Sequence, residues 1–309
     1  VLQQVEHFNN PTITANDAFK PVTRYFDRIT RPEQIIQSFP TAIQTMLDPA
    51  DCGPACISLS QDIQGQTFEY PEEFFKEKIH VIRRPRPDDF QVKEAATVIK
   101  SSKNPIIISG GGVFYSDAME ELSNFAIKHN IPVTQTVMGY STMKRDHSHY
   151  AGQIGALGGK NTNLIAKQTD LAIAIGTKLG DFTTGSWANF ENENFKLVTI
   201  NVSRFDANKH LAQAIVGDAK ISLKDLSIAL GDWKANEEWN KKSQTELAIW
   251  NEQIEKESAP SNQEIPSYVQ AIGAIYKNSD PSDIAVTAAG GLVGEVVQVW
   301  RPRELNTHE

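Results

Sequence analysis

The sequence predicts an α/β protein built on a doubly wound, Rossmann-like parallel sheet. Three observations carry that prediction. Pro105-Ile106-Ile107-Ile108-Ser109 is a short apolar run ending in Gly110-Gly111-Gly112, and Leu171–Ile175 is a second such run, ended by Gly176. Strands of this kind alternate with helical apolar stripes through residues 91–232. Uninterrupted apolar runs closed by glycine fit strands buried on both faces. Their alternation with helical patterns fits a parallel sheet with helices on both sides.

Taken in order, residues 1–66 read as the closing part of one α/β domain. Pro32 suits the first turn of a helix whose stripe is Ile36, Phe39, Ile43 and Leu47, and Pro40 within the stripe predicts a kink or break. Asp48–Pro54 has turn chemistry, and Ala55–Leu59 is a short strand. Residues 67–90 read as a linker with Pro71, Pro85, Pro87 and mixed charges.

Residues 91–232 hold the complete domain. Val92, Ala95, Ala96 and Ile99 make a helical face leading into the 105–109 strand. Past the glycines, Ser116 is placed to cap a helix with Ala118, Leu122, Phe125 and Ala126 on its inner face. Ile131–Thr134, Leu171–Gly176, Lys196–Val202 and Ala214–Val216 are the remaining strands. Asp218 then takes the N-cap of a helix carrying Leu223, Leu226 and Leu230. Residues 233–262 form a polar helical connector lying on the domain surface, with Trp239, Leu247, Trp250 and Ile254 as a narrow apolar face. Residues 263–309 begin another domain: Pro266 opens a helix with Val269, Ile272 and Tyr276, Ile284–Ala288 reads as a strand, and a loop with Gly290, Gly291 and Gly294 follows. With one whole domain between two partial ones, the chain reads as a piece of a longer protein.

Composition narrows the partners. Across 309 residues the net charge is −8, with 40% apolar and 22% charged residues, so the chain reads as globular and argues against nucleic acid. No apolar run approaches the ~18 residues of a membrane span, and the first residues carry no signal-peptide pattern. Cys52 and Cys56 stand alone around a Gly-Pro turn, which fits a reducing cytosol rather than a disulfide or zinc framework.

The candidate ligand residues sit where the strands end. Gly110, Gly111 and Gly112 follow the first strand of the complete domain, where backbone N–H groups can meet a phosphate. Gly110 and Gly112 begin a G-x-G-x-x-G pattern, but Tyr115 occupies the last glycine's place, so a plain tight turn is the competing reading. After Gly176, Lys178 can meet a phosphate and Asp181 a ribose or base, or both form a polar rim. Asn201 ends the fourth strand, where an acid would serve ribose hydroxyls better. His147-Ser148-His149 can offer alternate side chains to a metal, but with no third ligand nearby it reads as a polar surface loop. Trp187, Trp239 and Trp250 read as packing anchors.

Several stretches together resemble the thiamine-diphosphate enzymes of the acetolactate synthase and pyruvate decarboxylase group. Gly53–Gln64 is similar to the closing strand of their pyrimidine-binding domain, with Ser60 in place of the usual proline. Pro105–Gly112, Ile131–Val133, Met138-Gly139, Leu171–Gly176 and Val216-Gly217-Asp218 follow their central domain in order and spacing. Val5–Phe8, Met138–Ser141 and Ala288–Leu292 resemble a hydrolytic branch that opens a cyclic vicinal diketone to a deoxy-uronic acid.

The resemblance implies thiamine diphosphate and Mg²⁺ in the full-length enzyme, and a homo-oligomer. It adds Asp218, Gly290 and Gly291 to the cofactor-facing candidates. It also implies an activating glutamate upstream of the matched segment and a G-D-G…N metal motif downstream. Gly180-Asp181-Phe182, Gly217-Asp218-Ala219 and Gly231-Asp232-Trp233 lack the motif's second glycine. This reading assigns the chain no catalytic residue, no metal ligand and no thiamine cofactor of its own. A semialdehyde decarboxylase-like or acetolactate synthase-like activity, an FAD- or ADP-binding module, and a structural spacer remain the alternatives.

Overall fold

The computed structural model describes residues 9, 10, 13–288 and 290–307. The Val5–Phe8 stretch and Ala289 lie outside them. The chain separates into two compact units, ending and starting at Arg84 and Pro85.

In the first unit, strand β1 (Tyr25–Ile29) pairs in parallel with β2 (Ala55–Leu59), Tyr25 opposite Ala55 and Ile29 opposite Leu59. The sequence reading did not anticipate β1, whose Asp27 and Arg28 interrupt its apolar pattern. Asp27 works as an anchor: its carboxylate accepts from the Gln34 amide at 3.1 Å and from the Ser38 hydroxyl, tying the strand to the helix Ile35–Met46. That helix runs unbroken through Pro40, contrary to the expected break. Its stripe is only partly covered, with Phe39 49% exposed, because two strands cannot bury a whole helix face.

The second unit is the doubly wound fold. Six parallel strands, β3 (Pro105–Ser109), β4 (Val133–Gln135), β5 (Tyr150–Gln153), β6 (Leu171–Ile175), β7 (Lys196–Asn201) and β8 (Gln213–Val216), lie in the order β5-β4-β3-β6-β7-β8. The order reverses between β3 and β6, as in dinucleotide-binding sheets. Side chains alternate between the faces. Ile107, Ile173 and Val198 pack under the helices Asp89–Lys100, Met119–His129 and Ala219–Leu230. Ile106, Ile108 and Ala172 pack on the other face with Ile165 and Trp239. Burying an isoleucine side chain contributes about 1.5–3 kcal/mol, so the three fully buried isoleucines of β3 make it the spine of the sheet.

Four local readings need correction. Ser116 does not cap the helix after the glycines. The glycines themselves open a short helix, Gly111–Tyr115, that Ser116 closes; Asp117 turns through φ 51°, and Ala118 precedes the helix Met119–His129. Strand β5 was not anticipated, since Gly152 at φ +86° and a register shift against β4 break its pattern. Ile284–Ala288 forms no strand; Ala285 makes a single bridge, its N–H donating to Thr307 O at 3.1 Å. The polar connector is a helix, Glu237–Glu257, that does more than lie on the surface. It buries Trp239 and Leu247 in the two main cores, and its Ile254 joins Ile272, Val296 and Val299 in a third.

Candidate functional site at the switch point of the sheet

The reversal between β3 and β6 brings the two glycine turns together at the carboxyl edge. The Gly110 N–H donates to Ile175 O and the Gly112 N–H to Gly176 O, each at 2.9 Å. Gly176 sits at φ +60°, which glycine tolerates without strain. The two backbones also press together: a Cβ on Gly112 would lie 2.5 Å from the Gly176 Cα, and one on Gly110 would lie 2.4 Å from the Gly176 carbonyl oxygen. The turn after β4 closes the other side, since a Cβ on Gly139 would lie 2.1 Å from Ser109 O. The expected anion cradle is therefore a three-turn clasp, with two of its candidate N–H donors spent inside the protein.

The structure brings Gly110, Gly111, Gly112, Gly176, Lys178, Asp181 and Asn201 to the same edge of the sheet. Lys178 and Asp181 are exposed, because Leu179 turns inward at φ 51° and lifts its neighbours outward. Asn201 spends its side chain locally, donating to Thr177 O at 3.3 Å and accepting from the Ser203 N–H at 2.9 Å. Asp218 is buried at the next strand end, where its carboxylate caps a helix by accepting from the Lys220 and Ile221 N–H groups. Gly290 and Gly291 lie at the start of the helix Gly291–Val299, with open space where a Cβ would go.

His147 and His149 lie in a turn segment at the surface, as read, where Arg145, Asp146 and Ser148 are exposed, but their own rings are covered. His149 is 8% exposed and His147 half-buried, and each ring is held by a serine hydroxyl. Among the described residues no three His, Cys, Asp or Glu side chains gather as a metal site. Trp239 is an anchor as expected, its indole N–H donating to Pro105 O at 2.8 Å. Sequence reasoning missed His129, which is fully buried between Phe125 and Trp233. Its place in the last turn of an amphipathic helix was the available signal. Cys52 and Cys56 are free thiols, and no helix among the described residues is long and apolar enough to cross a membrane.

Residues 92–226 match the central domain of thiamine pyrophosphate enzymes. This stretch is a thiamine pyrophosphate enzyme central domain. The chain is also similar over nearly its whole length to proteins named 3D-(3,5/4)-trihydroxycyclohexane-1,2-dione hydrolase. It is 38% identical to that of Clostridium perfringens over 97% of this chain and 50% of the relative. It is 38% identical to that of Clostridium botulinum over 100% of this chain and 52% of the relative. With the Geobacillus thermodenitrificans protein the identity is 36%, over 100% and 51%. The chain thus spans about half the length of the curated relatives it matches.

Proposed function

We propose that the chain is the central part of a thiamine-diphosphate- and Mg²⁺-dependent hydrolase. The whole enzyme cleaves a C–C bond of the cyclic vicinal diketone 3D-trihydroxycyclohexane-1,2-dione to give 5-deoxy-glucuronate in myo-inositol catabolism. The observation that carries this is the 36–38% identity with hydrolases of that name across 97–100% of the chain. In this reading the enzyme works in the cytoplasm as a homo-oligomer, with a small-molecule substrate and no nucleic acid or membrane partner.

The chain alone is inert in this reading and binds neither thiamine diphosphate nor a flavin or ADP. The closed clasp at Gly110–Gly112 and Gly176 supports that, as does the local use of Asn201. Exposed Tyr115, Met138, Phe182 and Phe205 follow four different strands at the carboxyl edge. An apolar rim of this kind supports burial of the edge against another part of the working enzyme.

A chimera tests the function. These residues replace the matching half of the Clostridium perfringens hydrolase, and turnover of the cyclic diketone is followed by mass spectrometry. The chimera is expected to release the deoxy-uronic acid, and the isolated chain is expected to show no heat of binding with thiamine diphosphate and Mg²⁺. A folded, cofactor-loaded chimera that ignores the diketone but decarboxylates a 2-oxo acid or semialdehyde would favour the alternative activities. Micromolar binding of thiamine diphosphate by the isolated chain would refute the reading of the chain as inert on its own.

A further inference from the structure

We propose that His129, His147 and His149 form an acid-sensitive latch that holds edge strand β5 and the start of the helix Glu237–Glu257 against the sheet. The three histidines gather at the amino edge, opposite the glycine clasp. His129 ends the helix Met119–His129, and its carbonyl accepts the Ala235 N–H at 2.9 Å. The next residue, Asn130, donates to Ala235 O at 3.2 Å and faces His149 Nε2 at 3.1 Å. His149 leads into β5, and its carbonyl accepts the Val133 N–H at 2.7 Å. Asn240 of the long helix donates to Ser148 O at 3.4 Å. Strand, turn and helix are thus tied through one small set of rings.

The hydrogen bonds fit neutral rings, and that of His147 requires one. His147 Nδ1 accepts the His149 backbone N–H at 3.1 Å, so its proton sits on Nε2, 2.9 Å from the Ser123 hydroxyl. His149 needs a proton on Nε2 for the Asn130 carbonyl oxygen, leaving Nδ1 to accept from the Ser148 hydroxyl. His129 Nδ1 donates to Trp233 O at 2.7 Å. Its Nε2 faces the Ser227 hydroxyl at 3.0 Å, whose oxygen also accepts from the Lys128 ammonium at 3.1 Å. A second proton on His147 sets its Nδ1 against the His149 backbone N–H, two donors face to face, and one on His129 brings a positive ring to the hydroxyl that already takes the Lys128 ammonium.

The surrounding charges are few. Asp146 faces His147, Lys128 and Lys234 face His129, and His147 is the titratable neighbour of His149, the two rings 5.7 Å apart. The helix Ala219–Leu230 presents the Ser227 hydroxyl, and the helix Glu237–Glu257 presents Asn240. Burial, the largest influence on all three, lowers each ring below the ordinary histidine value of 6.5.

The sign follows from linkage. Above pH 6.5 the rings are neutral whether the latch is closed or open, and pH has no effect. As pH falls below 6.5 the open form takes up protons that the closed form refuses. Opening then grows by up to about tenfold per pH unit for each histidine, until the closed rings also protonate.

Hydrogen exchange of the whole chain at pH 7.5, 6.5 and 5.5, corrected for intrinsic rates, reads the latch directly. Segments 130–135, 147–153 and 233–240 are expected to lose at least tenfold protection between pH 6.5 and 5.5, while 171–175 keeps its own. The combined variant His129→Asn, His147→Asn, His149→Gln should hold protection flat over that range. Ring ¹⁵N spectra of the unaltered protein give an independent reading should the variant not fold. They should show neutral rings at pH 6.5, protonated at Nε2 in His147 and at Nδ1 in His129. Rings that titrate at or above 6.5, flat protection in the unaltered protein, or an unchanged loss in the folded variant would each overturn the latch.

Discussion

Gly112 and Gly176 face each other with no room for a methyl group on either, while Gly111, one residue away, is far less confined. Its Cβ would lie 3.0 Å from Met138 O and 3.6 Å from the Met138 Cβ. The two kinds of glycine should therefore respond differently to the same substitution. Gly176→Ala combines a left-handed φ with a backbone clash, and Gly112→Ala forces the two turns apart. Each is expected to cost more than about 3 kcal/mol or to prevent folding. Gly111→Ala, at the start of a helix, should stay within about 1 kcal/mol of the unaltered protein. Urea denaturation separates these outcomes, and equal effects at Gly111 and Gly112 would contradict the clasp. The glycine triplet was visible in the sequence, but its partner was not. A run of glycines announces close approach without saying what approaches, and here the answer lies 64 residues downstream in Gly176, beyond the reach of local pattern.

The elements most legible in the sequence were those whose pattern is set by burial on both faces. β3 and β6 are wholly buried, and the stripes of Asp89–Lys100 and Ala219–Leu230 point inward as read, each helix capped by an aspartate. β1 and β5 were illegible because neither has a continuous apolar run, and Ile284–Ala288 misled because a β-prone run stays unpaired without a neighbouring strand. The helix Glu237–Glu257 falls between these cases. Its composition reads as a solvated connector, yet Trp239 is 4% exposed and reaches the first residue of β3 through its indole N–H. Trp239→Phe keeps an aromatic ring but removes that donor. The expected loss is about 1–3 kcal/mol, read as a lower urea midpoint with an unchanged slope. A variant as stable as the parent would mean that the helix is held by its apolar face alone.

At the scale of the whole molecule, protection from proteases should follow the cores rather than the linker composition. The stretch after the 3₁₀ turn Glu72–Phe75 has no regular structure up to Asp88, and Ile79 and Val81 are 89% and 80% exposed. Trypsin is expected to cut first after Lys78 and Arg83, sparing Arg84 because proline follows it. Residues 259–266 are the second open stretch, and they lack lysine and arginine, so only a broad-specificity protease such as subtilisin should open them. A cut there need not release the C-terminal part. Ile272, Val296 and Val299 share a core with Ile254 of the long helix, and Arg301 donates to Asn251 and Glu255, both at 2.6 Å. Arg145 adds a bond from its guanidinium to the Tyr276 hydroxyl at 2.5 Å and one from its backbone N–H to Pro302 O at 2.8 Å. Polar pairs of this kind, with an apolar cluster beside them, hold a nicked chain together as they hold an intact one. The subtilisin-nicked protein should therefore elute from gel filtration as one species and separate into two pieces only on denaturation. Release of residues 267–307 on nicking in native buffer would show that this part is docked too weakly to belong to the same folding unit as the sheet.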